Sequence, residues 1–170
     1  MTLQLTSEQI WKAIEKEVFA VLGVVTVKCE ARTVGIVYVV KNRRLYIASG
    51  EDAWKVKHIS QNPHVSLTIP IHKRILFMPW IKIPSATITF SGTAQILDPQ
   101  ETPPEILHAL FRGMESDRDL MEGSCLIEVT PEKDFLTYGI GTSLMQMRDP
   151  DKARGRAPTA VSDNTPKQPA

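Results

Sequence analysis

Ser49, Gly50 and Lys55 bring a hydroxyl, a glycine and a cation to a place where a strand gives way to a helix. The apolar run Leu45-Tyr46-Ile47-Ala48 stops at Ser49-Gly50. A helix is expected from near Asp52, with Lys55, Lys57 and His58 in its first turns, until Asn62-Pro63 ends it. The first amides of a helix lack partners and point outward, the helix dipole favours an anion, and a lysine one turn in adds a full charge. That chemistry is phosphate binding. Glu51 and Asp52 oppose it, because acids in a first turn stabilise the empty helix start and repel a bound phosphate. Arg32 offers a planar donor fork that suits a phosphate if it points inward. A solvated lysine, a turn serine and a solvated arginine are the competing readings.

The positioning elements read as mainly β. Arg32 to Val40 is rich in β-branched residues and is answered by Leu45 to Ala48 across the polar turn Lys41-Asn42-Arg43-Arg44. Val65 to Ile69 starts the next strand. From Ser85 to Leu97 the chain alternates, with Ala86, Ile88, Phe90, Gly92, Ala94 and Ile96 on one face and hydroxyls on the other. Gly92 marks an expected bulge or bend in that strand. Upstream, Thr6-Ser7-Glu8-Gln9 matches a capping box, and Ile10, Ile14 and Val18 predict an amphipathic helix ending near Val21 to Gly23, followed by a first strand at Val24 to Val27. Pro103 to Phe111 predicts a second helix opened by proline, Cys125 to Pro131 a closing strand, and Phe135 to Gly141 a shorter extended piece. Strands at short intervals with few helices predict an antiparallel barrel rather than βαβ units.

Arg32-Thr33, Tyr38, then Leu45-Tyr46-Ile47-Ala48-Ser49, then Trp54-Lys55-Val56-Lys57-His58-Ile59-Ser60-Gln61-Asn62-Pro63-His64-Val65-Ser66-Leu67 together resemble the FMN-binding split-barrel family related to pyridoxamine 5′-phosphate oxidase. Gly92-Thr93-Ala94-Gln95-Ile96 resembles that family's next long strand, so the likeness covers most of Val21 to Pro131. It implies a six-stranded antiparallel split barrel with flanking helices, working as a homodimer with the flavin site at the subunit interface. It implies Lys55 on the FMN phosphate, Ala48 and Ser49 binding the flavin through hydroxyl and backbone groups, and Arg32 and Thr33 reaching the phosphate or the ring edge. Trp54 and Tyr138 become candidate ring neighbours, Tyr138 with Gly139 and Gly141 reaching across from a second subunit; core packing is the competing reading for both aromatics. Where the family usually has Ser or Thr before the lysine, this chain has Trp54. The implied activity is flavin-dependent redox chemistry on a small organic substrate. Pyridoxamine phosphate oxidase itself is not expected, since those enzymes finish in a strand bearing arginine and tryptophan that recognises the vitamin phosphate, and here no tryptophan follows Trp80. Two alternatives stay open. One is coenzyme F420, whose acidic tail Lys73, Arg74 and Lys82 would receive. The other is a non-enzymatic flavin or haem binder, although no histidine stands out as an axial ligand.

Composition narrows the rest. The 170 residues are expected to form one domain over 1–148 and an unpacked tail over 149–170, where apolar content falls away. Twenty basic and nineteen acidic side chains give a net charge of +1 and no reason to expect nucleic acid or an acidic membrane as partner. The first residues lack a signal-peptide pattern, and no apolar run approaches the roughly 20 residues of a membrane span, so a cytoplasmic location is expected. Cys29 and Cys125 read as buried thiols, and the histidines show no zinc spacing. The basic, apolar stretch from Pro70 to Pro84 reads as an interface pad or pocket lid rather than a membrane surface, because its prolines prevent a continuous helix.

Overall fold

The computed structural model describes residues 3–71, 85–111, 122–143 and 145–160. The stretch His72 to Pro84, with Lys73, Arg74 and Lys82, lies outside the described residues.

Helix α1 spans Ser7–Ile14, and Thr6 caps it: the Thr6 hydroxyl accepts from the Gln9 amide, and the Gln9 side chain accepts from the Thr6 amide. Ile10, Trp11 and Ile14 are buried, but the helix ends at Glu15, short of the expected Val21. Val18 is 55% exposed and does not extend the apolar stripe. From Phe19 the β-branched run takes strand geometry instead, and β2 (Phe19–Val25) turns Ala20, Leu22 and Val24 inward. Val27 therefore falls in the turn after β2, as does Cys29, which is exposed at φ +60°; only Cys125 is a buried thiol.

Strand β3 (Ala31–Val37) runs back antiparallel to β2. Tyr38 interrupts it: the side chain is buried, its hydroxyl donates to the Ile14 carbonyl at 2.8 Å, and its amide donates to Val18. β4 (Val39–Lys41) then turns through Asn42-Arg43, both at positive φ as a type I′ hairpin requires, into β5 (Arg44–Gly50). Next come α2 (Trp54–Gln61), β6 (His64–Ile71), β7 (Ala86–Leu97), a 3₁₀ turn at Pro99–Glu101, α3 (Pro104–Phe111) and β8 (Ser124–Tyr138). A 3₁₀ turn at Gln146–Arg148, α4 (Pro150–Ala153) and β9 (Arg154–Pro158) follow, with β1 at Leu3–Gln4 beside β9.

The sheet closes in a ring. β2 pairs with β3 and β6, β6 with β7, β7 with β8, β8 with β5, and β5 with β4. With β3 and β4 taken as one stave bent at Tyr38, this makes the expected six-stranded antiparallel barrel. Among the described residues there are nine strands, because β9 joins β8 antiparallel and β1 joins β9 in parallel. β7 keeps its predicted alternation, with Ala86, Ile88, Phe90 and Ala94 buried.

Three expectations change in detail. The closing strand and the shorter piece after it are one strand, β8. The bulge lies in β8 rather than at Gly92: Thr89 pairs with Leu136 but Ser91 with Glu132, and Lys133 sits at φ +61° in the extra length. Gly92 serves close approach instead, since a Cβ there would lie 2.6 Å from the Thr130 carbonyl oxygen. Finally, residues 149–160 pack, where an unpacked tail over 149–170 was expected; residues 161–170 lie outside the described residues. Asp149 caps α4, Ala153 and Ala157 are fully buried, and β9 pairs with Asp134 to Tyr138. Low apolar content is no bar here, because β9 turns only the small residues Gly155 and Ala157 inward and packs through its ladder and a flush fit.

The core lies inside the barrel. Phe135 stands edge-on to both Trp11 and Phe90, with ring centroids 5.4 and 5.3 Å apart. None of the described helices is long and apolar enough to cross a membrane.

Candidate functional site

The barrel is split between β3 and β5. β3 pairs only with β2, and β5 pairs with β4 only as far as Tyr46, so beyond that point the facing edges have no ladder partner among the described residues. Between them lies a cleft of about 310 Å³ lined by Gly35, Val37, Ile47, Ala48, Lys55 and Leu110. A Cβ on Gly35 would meet only the Phe19 ring, at 2.9 Å, so this part of β3 is bare backbone beside the cleft.

Lys55 is the second residue of α2. The N-cap is Ala53, which has no side-chain oxygen to offer, and the amides of Trp54 and Lys55 have no partner among the described residues. The amides of Ala53, Val56 and Lys57 are satisfied by Gly50 and Ala53 carbonyls. Because the helix begins at Trp54 rather than near Asp52, its first turn carries no acid. The Glu51 amide is tied to the Gly123 carbonyl, and Asp52 is paired with Lys57 at 3.6 Å. Both acids therefore stand before the N-cap rather than within the first turn.

The other candidates disperse. Ala48 shares the cleft with Lys55, but Ser49 alternates to the opposite face of β5, where it is buried and donates to the Gly50 carbonyl at 3.2 Å. Trp54 is 39% exposed and touches His58 edge-on, neither in the core nor lining the cleft. Arg32 and Thr33 lie in a second cleft of about 470 Å³ across β2, β3, β6 and β7, near His64 and Lys133; Arg32 pairs with Glu30 at 3.6 Å. Tyr138 lines a third, larger cleft of about 690 Å³ with Thr87, Leu136, Arg154 and Arg156, and its hydroxyl donates to the Met147 carbonyl at 2.6 Å.

Arg154 and Arg156, which low apolar content places in an unpacked tail, line this cleft from β9. The signal was present as a period of two: arginines at 154 and 156 alternate with Gly155 and Ala157, which face inward. Their ion pairs, with Asp151 at 4.0 Å and Asp134 at 3.5 Å, are solvent-exposed and weak.

Two titratable groups near the split are shifted. Burial pushes the Cys125 thiol up, Glu51 adds to this, and Lys55 opposes it, which keeps the sulfur protonated and unreactive at neutral pH. Behind the cleft, burial and then the hydrogen bond to Glu128 push the Tyr46 phenol up to about 12. No group of three or more His, Cys, Asp or Glu among the described residues is placed to hold a metal ion.

No protein-family model matches the chain, and no curated protein matches it in sequence. Solved structures do match. The haem storage protein HutZ from Vibrio cholerae aligns with a TM-score of 0.63 at 16% identity, over 83% of this chain and 98% of that one. A haem-binding protein from Mycobacterium smegmatis aligns at 0.63 and 13%, over 80% of this chain and 55% of that one. A pyridoxamine 5′-phosphate oxidase-like protein from Listeria innocua aligns at 0.54 and 20%, over 75% and 94%. At such identities the likeness speaks for architecture alone. By its ring of six staves and its structural neighbours, the chain has the split-barrel fold of the pyridoxamine 5′-phosphate oxidase-like proteins.

Proposed function

We propose that the chain binds FMN in the split between β3 and β5 and serves a flavin-dependent redox reaction on a small organic substrate. The observation that carries this reading is the meeting of Lys55, two first-turn amides without a partner among the described residues, and the bare Gly35–Ala48 slot in one cleft. Lys55 and the amides of Trp54 and Lys55 would take the phosphate. The edges of β3 and β5 that have no ladder partner among the described residues offer backbone donors and acceptors to the polar rim of a flat ring, and Val37 and Leu110 shield its apolar part from water. FMN, when bound, supplies the hydride acceptor or donor.

A homodimer fits the same end of the molecule. Phe19 and Val37, paired across β2 and β3 at the mouth of the cleft, are 44% and 60% exposed, and a second copy resting there would cover them. Arg154 and Arg156 favour a substrate with an anionic group: they stand on β9, the last strand among the described residues, although no tryptophan accompanies them. The test of the whole reading is the visible spectrum and mass of the small molecule released from freshly purified protein. FMN is the expected species; protein that neither retains nor takes up FMN would end the proposal.

Haem is the second reading, favoured by His64 in the cleft that also holds Arg32 and Lys133. A neutral imidazole can ligate haem iron, and the two cations suit propionate groups. A Soret band on haem addition that vanishes in His64→Ala would favour haem, and one that persists would exclude His64 as the ligand. The F420 alternative rests on Lys73, Arg74 and Lys82, and a salt-sensitive preference for F420 over FMN would support it.

A further inference from the structure

We infer that Arg44, Glu128 and Tyr46 form a hydrogen-bonded seat that positions α3 and, through Leu110, the outer wall of the cleft at the split. Tyr46 is then a positioning residue for whatever the cleft binds, and the binding arm of the argument rests on the FMN reading.

Tyr46 and Glu128 are directly paired across β5 and β8 and are 4% and 8% exposed. A buried carboxylate is costly unless both oxygens are satisfied. Here the Tyr46 hydroxyl donates to Oε2 at 2.8 Å and the Arg44 guanidinium to Oε1 at 3.0 Å. Arg44 stays half-exposed, so its charge remains hydrated while it anchors the acid.

On this seat rests a small apolar cluster separate from the barrel core. Tyr46, Leu126 and Ile106 are its buried members, with Leu107 and Leu110 of α3 packed against them. Leu110 also lines the cleft that holds Lys55. Ala48, on the cleft floor, is two residues along from Tyr46 on the same face of β5, roughly 7 Å away at strand spacing. Contacts among leucines alone are non-directional and tolerate sliding. The bond from phenol to carboxylate is directional, and it fixes the ring against which Ile106 and Leu110 pack. Without the hydroxyl, one buried carboxylate oxygen loses its donor, water is drawn beneath α3, and the Leu110 wall loosens.

The test uses the cofactor-free protein and four variants: Tyr46→Phe, Leu110→Ala, their combination, and Glu128→Gln, which keeps an acceptor for the phenol. Amide hydrogen exchange is followed by mass spectrometry, and FMN affinity by flavin fluorescence. Tyr46→Phe should speed exchange across 104–111 by about tenfold or more while leaving β6 and β7 unchanged, with Glu128→Gln closer to the parent. FMN affinity should fall about tenfold in each of Tyr46→Phe and Leu110→Ala, and the double variant should bind no worse than the weaker single one, because both act through one wall. Unchanged exchange in α3, or losses that multiply in the double variant, would overturn the inference. If no form binds FMN, the exchange result alone decides it, and the cofactor reading falls separately.

Discussion

Replacing Gly35 by alanine should separate stability from binding. A Cβ on Gly35 would stand 2.9 Å from Cε2 and 3.1 Å from Cζ of Phe19, with no other heavy atom of the described residues within 4 Å. Ordinary carbon contacts lie at about 3.5–4.0 Å, so the ring must move by several tenths of an ångström. Phe19 is 44% exposed and free to swing outward. Its lost contact is offset by the gain of about 0.5–1 kcal/mol from removing a glycine inside a strand, so net stability should stay within about 1 kcal/mol. The cleft has no such freedom. It is about 310 Å³ in volume and bounded by β5 on its far side. A methyl group intruding on a closely fitted ring costs about 1–3 kcal/mol, a loss of roughly 5- to 150-fold in affinity. The assay pairs FMN titration by fluorescence quenching with thermal unfolding of the cofactor-free protein. Unchanged affinity for FMN in Gly35→Ala would refute the placement of the ring at the split, and a large fall in melting temperature would refute the account of Phe19.

Gly92→Ala should behave in the opposite way, since its Cβ would press on the Thr130 backbone at 2.6 Å; a loss of about 2–3 kcal/mol, or roughly 4–12 °C in melting temperature, is expected by calorimetry, and a neutral result would contradict the close pairing of β7 and β8. Stability should decline with pH above about 10, because the unfolded chain releases phenolic protons there while folded Tyr46 holds its proton to about 12 and folded Tyr38, raised chiefly by burial, holds its own as well. The unfolded state then binds fewer protons, and urea midpoints at pH 9 and 11 should show a shallower decline in Tyr46→Phe; an identical slope would contradict the burial of that phenol. Ending the chain after Arg148 removes α4 and β9, strips the ladder from Asp134 to Tyr138 and uncovers the Phe135 side of the core; a fall on the order of 10 °C is expected by circular dichroism, whereas an unchanged melting curve would contradict the packing of the C-terminal strand.

Local periodicity made much of the barrel legible. The strict alternation of β7, the capping box at Thr6 and the polar turn at Asn42-Arg43 each specify an element within a few residues, and each appears in the structure. What escaped depends on contacts distant in sequence. Tyr38 breaks β3 from β4 because its hydroxyl finds the Ile14 carbonyl, a partner 24 residues away. Arg154 to Pro158 becomes a strand because the exposed edge of β8 needs cover, and that edge exists only after the ring has closed. The site shows the same division. Lys55 and Ala48, expected together because one short stretch carries both, line one cleft, whereas one step of strand alternation turns Ser49 to the opposite face of β5. Arg32 and Thr33 were carried toward the same place by resemblance, yet the register of β3 against β2 sets them in another cleft.

The central claim, that the start of α2 holds the phosphate of a flavin, is tested most directly by comparing the affinities of FMN and riboflavin for the parent protein and for Lys55→Ala. Riboflavin has the ring without the phosphate. A hydrogen bond between charged groups contributes about 1.5–3 kcal/mol, so Lys55→Ala should weaken FMN by roughly 10- to 150-fold and leave riboflavin unchanged. Equal losses for both ligands, or no loss for FMN, would contradict it.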